Sequence, residues 1–328
     1  MNLKQVAAVA GVSVSTVSRV LNNKGTVSAA TRARVEAILK QNNYTPSAIA
    51  RGMVSKSMRT VAVLTVDIRV PHYARTAYTI EREFSRRGYE VILCNTGGDR
   101  GETLRYLQVV NQKQVDGIVL VGSVFDTICQ GAEMEKLLTG VPVVLANGKL
   151  DLPNAYSVTV DDKYGVSLAV EHLAEKGRQN IYYIKDRDTD SARAKRDGFL
   201  EAMRRHGLAF ADHVLEAGET LEDAVNATQK LLAQGIVPDG IVCGEDLTAA
   251  GALKALLRAG LRVPGQVAVV GFNNSDYAHL CEPVLTSVDN KPEQVALLCV
   301  QLLESRIERS EAYSSVVLQP ELAQGETS

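Results

Sequence analysis

The chain has 328 residues, of which 45% are hydrophobic and 23% charged, and its formal net charge is −2. This length is too great for one small core, so two or three domains are expected. No run approaches the ~20 apolar residues that a membrane-spanning helix needs. The five cysteines are widely spaced and form no CxxC pair, which is typical of reduced thiols in a cytoplasmic protein rather than of a disulfide scaffold.

Basic residues are concentrated at the N-terminus. Residues 1–59 hold nine Lys or Arg and one acid, Glu36, a net charge of +8. The remaining residues hold 27 basic and 37 acidic side chains, a net charge of −10. A solvated basic surface is one explanation, but such sharp segregation favours a small polyanion-binding module joined to a larger acidic body.

Residues 1–45 predict three short helices. Asn2 is placed to cap the first helix, and Gly11 ends it because glycine tolerates the left-handed turn. Ser13 caps a second helix, from about Val14 to Asn22, and Ser28 caps the third. Hydroxyl side chains interrupt the apolar start before it reaches the length of a secretory leader, so a cytoplasmic location is expected.

A different pattern begins at Thr60, after the linker "PSAIARGMVSKSMR" (46–59). Short β-branched runs then alternate with amphipathic stretches. The strand candidates are 60–66, 89–95, 116–122, 141–147, 155–161, 180–186, 213–217, 239–244 and 266–273. Near-continuous apolar strands separated by helices predict parallel sheets covered on both faces. The phrases "VDGIVLVGS" and "PDGIVCGED" recur at equivalent places, so we expect two doubly wound lobes that bind a ligand at the carboxyl ends of their strands.

The first two helices, joined by a tight turn at Gly11, have the signature of a helix-turn-helix. On a helical wheel, Val17 and Leu21 face the first helix, whereas Ser15 and Arg19 lie on the opposite side with Asn22. A helix with few, short outer side chains can approach a major groove closely. Arg19 could then donate two hydrogen bonds to a guanine. A generic helical hairpin with an exposed arginine is the alternative.

The stretch "LKQVAAVAGVSVSTVSRVLNNKGTVSAATRARVEAILKQNNYTPSAIARGM" resembles the N-terminal DNA-binding region of the LacI/GalR family of bacterial transcription regulators. The pattern "GVSxxTVSRVLN" is highly specific to that family. The resemblance continues through "VEHLAEKG" (170–177), "GALKALLRAGLRVPGQVAVVGFN" (251–273) and "PVLTSVDN" (283–290), and so covers nearly the whole chain. It implies an effector-binding core similar to periplasmic sugar-binding proteins.

The resemblance also implies roles in DNA binding for individual residues. The matching major-groove positions are Val14, Ser15 and Arg19, and the matching phosphate-contacting positions are Thr16, Ser18 and Asn22. The linker matches the family's hinge helix, which adds Ser47 and Met53 to the DNA-binding set. Met53 stands where the family usually has a leucine that wedges between base pairs, and a methionine is large and apolar enough for that role.

The positions that match the family's effector-binding residues are His72, Tyr73, Ser123, Tyr164, Lys195, Glu245 and Asn273. Three of them depart from the common pattern. Lys195 replaces an arginine, Glu245 with Asp246 replaces Asn-Asp, and Asn273 with Asn274 replaces Asp-Asp. Asn donates as well as accepts hydrogen bonds, whereas a carboxylate only accepts. A ligand with a carboxylate or phosphate is therefore one possibility, and a neutral sugar or nucleoside is the other.

Signatures of common α/β enzymes are missing from the sequence: GxGxxG after the first strand, GxxxxGK[ST], HExxH and GxSxG. We therefore expect no catalytic residues, no metal site and no cofactor. A solute-binding protein without DNA function would account for residues 60–328. It would leave residues 1–59 without a purpose.

The sequence thus predicts a helix-turn-helix domain (1–45) and a hinge (46–59), followed by an α/β core of two lobes. The first lobe is expected to comprise 60–161 with a return segment at about 291–315, and the second 162–290 with about 316–328. The expected function is that of a cytoplasmic repressor, a homodimer on a palindromic operator in double-stranded DNA, controlled by a sugar or other small polar metabolite bound between the lobes.

Overall fold

The computed structural model describes residues 3–21, 25–42, 57–309 and 315–328. By their internal contacts the residues form two compact units, Met1–Arg59 and Thr60–Ser328. Three of the residues expected to bind DNA lie outside the described ranges, namely Asn22, Ser47 and Met53.

The N-terminal unit contains three helices, α1 (Leu3–Ala10), α2 (Val14–Leu21) and α3 (Ala29–Gln41). Gly11 has φ +63°, the left-handed conformation expected at the end of α1. The Ser28 hydroxyl caps α3 by accepting a hydrogen bond from the Thr31 amide at 3.2 Å. Val6 of α1, Val17 of α2 and Val35 of α3 are fully buried against one another in a small core.

The C-terminal unit alternates strands and helices in chain order. The first part contains β1 (Thr60–Thr65), α4 (Pro71–Arg86), β2 (Glu90–Asn95), α5 (Arg100–Gln112), β3 (Gly117–Val121), α6 (Phe125–Ile128), α7 (Ala132–Leu138), β4 (Val143–Ala146) and β5 (Ala155–Val160). The second part contains α8 (Asp162–Glu175), β6 (Ile181–Lys185), α9 (Asp190–Arg205), β7 (Val214–Glu216), α10 (Leu221–Ala233), β8 (Gly240–Cys243), α11 (Asp246–Arg258), β9 (Ala268–Phe272), α12 (Asp276–Leu280) and β10 (Thr286–Asp289). The chain ends with α13 (Pro292–Ile307), β11 (Ser315–Leu318) and β12 (Glu321–Ala323).

These strands form two six-stranded sheets, one for each lobe. The order is β11-β5-β4-β3-β1-β2 in the first lobe and β12-β10-β9-β8-β6-β7 in the second. Every pair is parallel except β10 with β12. The two doubly wound lobes predicted from the sequence are therefore present, and the chain passes between them after β5, after β10 and after β11.

Three short strands, β10, β11 and β12, were not among the sequence candidates. β11 pairs in parallel with β5, from Ser315 opposite Ser157 to Leu318 opposite Val160. The final crossing consequently comes after Leu318, three residues later than the boundary expected between 315 and 316. A four-residue edge strand is too short for alternation or an apolar run to mark its end.

Helices cover both faces of each sheet, so the central strands are buried on both sides. In the first lobe, β1 is buried along its whole length, and α4 and α13 cover one face. The opposite face of that sheet packs against a second cluster that includes Leu107 of α5 and Phe125 of α6. Burying one such side chain contributes about 1.5–3 kcal/mol. The resulting rigid sheets fix the loops at the carboxyl ends of their strands.

Candidate functional site

The outer face of α2 carries the residues expected to read DNA. Val14, Ser15 and Arg19 are exposed, and Val14 retains 41% of its accessible surface. Val17 and Val20 are buried on the opposite face of the same helix. This arrangement leaves the polar side chains of Ser15 and Arg19 and their apolar neighbour Val14 open to a partner, because the packing of the unit uses only the inner face.

A hydroxyl cluster fixes the first turn of α2. The Ser13 hydroxyl accepts a hydrogen bond from the Thr16 amide at 3.2 Å, as expected for the residue that caps this helix. The Ser13 Oγ also lies 2.8 Å from the Ser15 Oγ and 2.9 Å from the Thr16 Oγ1. Thr16 and Ser18 are half-buried beside the exposed stripe. Their contacts with phosphate remain predictions.

A second candidate site is a cavity of about 50 Å³ between the two lobes. It lies at the carboxyl ends of the strands, as doubly wound sheets dictate. Six of the seven residues expected to bind an effector line it: His72, Tyr73, Ser123, Lys195, Glu245 and Asn273. We refer to this cavity with its lining as the cleft.

Tyr164, the seventh expected effector residue, does not line the cleft and is 41% exposed. α8 begins at Asp162, with the Asp161 carboxylate accepting the Tyr164 amide at 2.9 Å. Residues two apart on a helix point about 200° apart around its axis. Asp162 therefore faces the cleft, and Tyr164 faces away from it.

The cleft also contains residues that the sequence analysis missed. Its further polar lining includes Asn147, Asp162, Asp186, Arg187 and Asn290. Three of these five follow directly on a strand, because β4 ends at Ala146, β6 at Lys185 and β10 at Asp289, and the other two are the second residue after a strand. The available signal in the sequence was a polar residue placed just after a buried apolar run. The carboxyl ends of parallel strands converge on one edge of the sheet, so such residues lie near the ligand.

Arg187 is the centre of an ion-pair cluster. Its Nε donates to the Asp186 carboxylate at 2.9 Å, and its Nη2 lies 3.1 Å from the Glu245 Oε1 and 3.7 Å from the Glu219 Oε2. The Arg187 and Glu245 side chains are only 15% and 12% exposed. Charged groups at this depth require partners, and these residues supply them for one another.

Lys195 is the other cation in the cleft. Its Nζ donates to the Gly244 carbonyl oxygen at 3.0 Å and lies 3.8 Å above the centre of the Phe272 ring. The positive charge also lowers the pKa of the buried carboxyl of Asp162, although burial raises that pKa more strongly. Lys195 is thus held by a carbonyl dipole, an aromatic face and a nearby carboxyl group.

Three side chains connect the lobes by hydrogen bonds. The Asn290 Nδ2 donates to the Asn273 Oδ1 at 2.8 Å, which turns the Asn273 amide nitrogen toward the His72 Nδ1 at 3.5 Å. Burial, together with the charges of Arg187 and Lys195, lowers the pKa of His72 to about 3. The imidazole is therefore neutral at pH 7, and because Nδ1 accepts, the proton resides on Nε2.

Burial raises the pKa of two adjacent carboxyl groups. The pKa of Glu245 rises to about 7, and Arg187 opposes this effect. The pKa of Asp246 rises to about 6 although three hydrogen bonds favour its charged form. Those bonds come from the Ser275 amide at 2.7 Å and from the hydroxyls of Ser275 and Ser287 at 2.8 and 2.6 Å. Asp246 therefore holds the loops after β9 and at β10, whereas Glu245 faces the cavity.

Two hydrogen-bond acceptors of the lining are unsatisfied. The Asn147 Oδ1 and the Asn290 Oδ1 are buried without a hydrogen-bond partner among the residues that the structure describes. Asn290 is only 5% exposed. A buried unpaired acceptor costs about 1–3 kcal/mol, so both oxygens favour a molecule that donates hydrogen bonds to them.

A helix-turn-helix unit joined to a two-lobed binding core defines a class of protein, the ligand-responsive DNA-binding regulators. Residues 2–47 match the family model for bacterial regulatory proteins of the lacI family, and residues 170–328 match that for the periplasmic binding protein-like domain. Within the described ranges, no helix is long and apolar enough to cross a membrane.

Relatives share this organisation over nearly their whole length. An HTH-type transcriptional regulator of Lachnoclostridium phytofermentans is 33% identical over 306 residues, 92% of each chain. The ribose operon repressor of Escherichia coli is 33% identical over 307 residues, 93% of this chain and 92% of that protein. The structure of a lac repressor dimer bound to operator and the anti-inducer ONPF matches with a TM-score of 0.88 and 25% identity, covering 100% of this chain and 98% of that chain. The chain belongs to the LacI family, and it is a DNA-binding transcriptional regulator.

Proposed function

We propose that this protein is a repressor whose operator affinity is controlled by a neutral, polyhydroxylated metabolite bound in the cleft. It acts in the cytoplasm as a homodimer on a palindromic operator, without catalytic activity or cofactor. The charge balance of the cleft is the observation that supports this class of effector over an anionic one.

The cations of the cleft are already compensated. Arg187 and Lys195 face three carboxyl groups of the lining, Asp162, Asp186 and Glu245. With all five groups ionised the lining has a net charge of −1, so it offers no excess positive charge to a carboxylate or phosphate. A bound anion would have to compete with carboxylates that already hold Arg187 at 2.9 and 3.1 Å.

Hydrogen-bond complementarity favours hydroxyl groups. The lining offers donors, the Arg187 guanidinium and the His72 Nε2, together with the unsatisfied oxygens of Asn147 and Asn290. A hydroxyl group both donates and accepts, so a polyhydroxylated molecule satisfies both kinds of group. An ionised carboxylate or phosphate group provides acceptors only, so that group cannot pair with the two amide oxygens.

The N-terminal unit supplies the DNA recognition. Arg19 is the exposed side chain of α2 that can discriminate a base, since Val14 and Ser15 offer only an apolar contact and a permissive hydroxyl. Met53 is proposed to wedge between base pairs at the operator centre. Effector binding changes the closure of the lobes and thereby the population of the DNA-binding form. A solute-binding protein without DNA function would leave this unit unexplained.

The first test is selection of DNA by the full-length protein from a fragmented genomic pool at moderate salt. We expect an enriched palindrome that neutral monosaccharides or nucleosides release or tighten and that sugar phosphates leave unaffected. Arg19→Ala should abolish the enrichment, whereas Arg34→Ala, which removes the same charge from the exposed face of α3, should retain the sequence preference.

Two results would contradict the proposal. Equal loss of binding to all DNA sequences in Arg19→Ala would show that Arg19 does not read a base. A response to sugar phosphates alone would overturn the neutral class of effector while leaving the DNA-binding function intact.

A further inference from the structure

The Arg187 side chain is unusually buried for a long, charged side chain. It is the second residue after β6 and lines the cleft between the lobes, with only 15% of its side chain exposed. Carboxylates on three separate segments hold it there: Asp186 beside it, Glu219 before α10 and Glu245 after β8. Swinging the guanidinium out would leave Asp186 and Glu245 buried without their partner, so the side chain is fixed in place.

Two aromatic residues of the first lobe that line the cleft with Arg187 form a fixed aromatic wall. Tyr73 is 7% exposed, and its ring packs on Gly122 so closely that a Cβ there would lie 2.9 Å from it. The adjacent His72 ring lies 3.9 Å from the Tyr73 ring, centre to centre. Of the charges that act on these two rings, that of Arg187 has the largest effect on both pKa values. The guanidinium and both rings line the same cavity.

The volume between these walls limits what the cleft can hold. At about 50 Å³, it accommodates roughly three to five water molecules, since one water needs about 10–15 Å³ of such volume. That is the scale of a single small ring with its hydroxyl groups. A second ring does not fit in this volume, and the fixed Arg187 side chain is part of the lining that sets it.

We propose that Arg187 is a specificity-determining residue that restricts the effector to one small sugar-sized ring and donates a hydrogen bond to it. This inference rests on the proposed neutral, polyhydroxylated effector and adds its size and the residue that imposes it. Glu245 and Asp186 act through Arg187 as positioning residues.

The test measures thermal shifts of the full-length protein with a panel of D-ribose, D-xylose, D-glucose, D-galactose, cellobiose and maltose. We expect at least one monosaccharide, and neither disaccharide, to stabilise the wild type. Arg187→Ala should bind that monosaccharide roughly tenfold or more weakly, because a charge-assisted hydrogen bond is lost, and should acquire a response to a disaccharide. The control is Arg196→Ala, which removes an exposed arginine of the same lobe outside the lining and should match the wild type.

A second variant covers the risk that Arg187→Ala fails to fold because Glu245 is left unpaired. Arg187→Ala combined with Glu245→Gln removes that buried charge and should show the same gain of disaccharide binding. Disaccharide binding by the wild type, or unchanged selectivity in both variants, would overturn the role of Arg187. If no sugar stabilises the wild type, the proposal of a neutral effector is wrong. Disaccharide binding by the two variants, or its absence, still decides whether Arg187 limits the size of the cleft.

Discussion

The two lobes share one fold but contribute opposite kinds of side chain to the cleft. Among the described residues that line it, the first lobe supplies neutral groups such as His72, Tyr73, Ser123 and Asn147. The second lobe supplies the carboxyl, ammonium and guanidinium groups, among them Asp186 and Arg187 after β6, Lys195 on α9 and Glu245 after β8. The fold fixes where the residues lie, and the loop sequences decide what they can bind.

Because of this difference, bringing the lining residues out of water costs a different free energy in each lobe. The charges of the second lobe are already paired with one another within it, so they need no help from the first lobe to remain buried. The first lobe can approach a ligand without desolvating any charge of its own. Substitutions of charged lining residues in the second lobe should therefore affect stability and affinity together, whereas substitutions of small polar lining residues in the first lobe should affect mainly the fit of the ligand.

The largest expected effect comes from comparing substitutions at equivalent positions of the two lobes. Gly122 after β3 corresponds to Gly244 after β8, so Val124 in the first lobe corresponds to Asp246 in the second. Asp246→Ala should lower the free energy of unfolding by about 3–5 kcal/mol, because it leaves three buried donors from Ser275 and Ser287 unpaired. Urea unfolding of the full chain measures the change.

Val124→Ala is the matched control. It should lower the free energy of unfolding by about 1 kcal/mol or less, because the side chain is half-buried and its removal leaves no hydrogen-bonding group unpaired. Equal losses for the two variants would show that the buried carboxylate does not distinguish the lobes.

A second expected effect concerns Lys195. Lys195→Met keeps an apolar stem against Phe272 but removes the hydrogen bond to the Gly244 carbonyl and the positive charge near Asp162. Effector affinity should fall by about 1.5–3 kcal/mol, the usual range for a hydrogen bond to a charged group. Isothermal titration with the monosaccharide that stabilises the wild type measures it. A loss no greater than that of the first-lobe variant Ser123→Ala would contradict the unequal roles of the two walls.

The pH dependence of stability should also come mainly from the second lobe. Burial raises the pKa of Glu245 to about 7 and that of Asp246 to about 6, and it raises the pKa of Asp162. Each is higher in the folded chain than in the unfolded chain, so folding is favoured at low pH and the benefit is lost as pH rises through the folded value. The folded chain holds these protons between the unfolded and folded pKa values, so the melting temperature should fall as the pH rises from about 4 to about 7 and level off above that.

The first lobe supplies one comparable carboxyl group, Asp126 on α6, whereas the lowered pKa of His72 acts in the opposite direction. Burial and the neighbouring Asp190 raise its pKa to about 7, while the Lys149 amide, 2.7 Å away, opposes the shift. Glu245→Gln and Asp126→Asn should each flatten the slope of melting temperature against pH. If Asp126→Asn removed nearly all of that slope, the second lobe would not be its main source.

Much of this arrangement follows from the sequence. Apolar runs and the repeat at "VDGIVLVGS" and "PDGIVCGED" predicted two doubly wound lobes, and the family resemblance indicated six residues that the fold brings to one cavity. Arg187 was missed because the sequence around it is a run of charges, typical of a solvated loop. Its burial depends on Glu219 and Glu245, which lie far along the chain, and no local pattern reports such long-range pairing.

The smallest expected effect concerns Tyr164, which the resemblance assigned to the effector site and the structure places outside it. Its side chain is 41% exposed on α8, so Tyr164→Ala should change neither effector affinity nor the free energy of unfolding by more than about 0.5 kcal/mol. Tyr73→Ala is the matched variant in the cleft, where loss of a buried aromatic ring should cost about 3–5 kcal/mol. Titration and urea unfolding of both variants measure the difference. A marked loss of affinity in Tyr164→Ala would mean that effector binding rotates or unwinds the first turn of α8, because a residue two positions from Asp162 on an intact helix cannot face the same cavity.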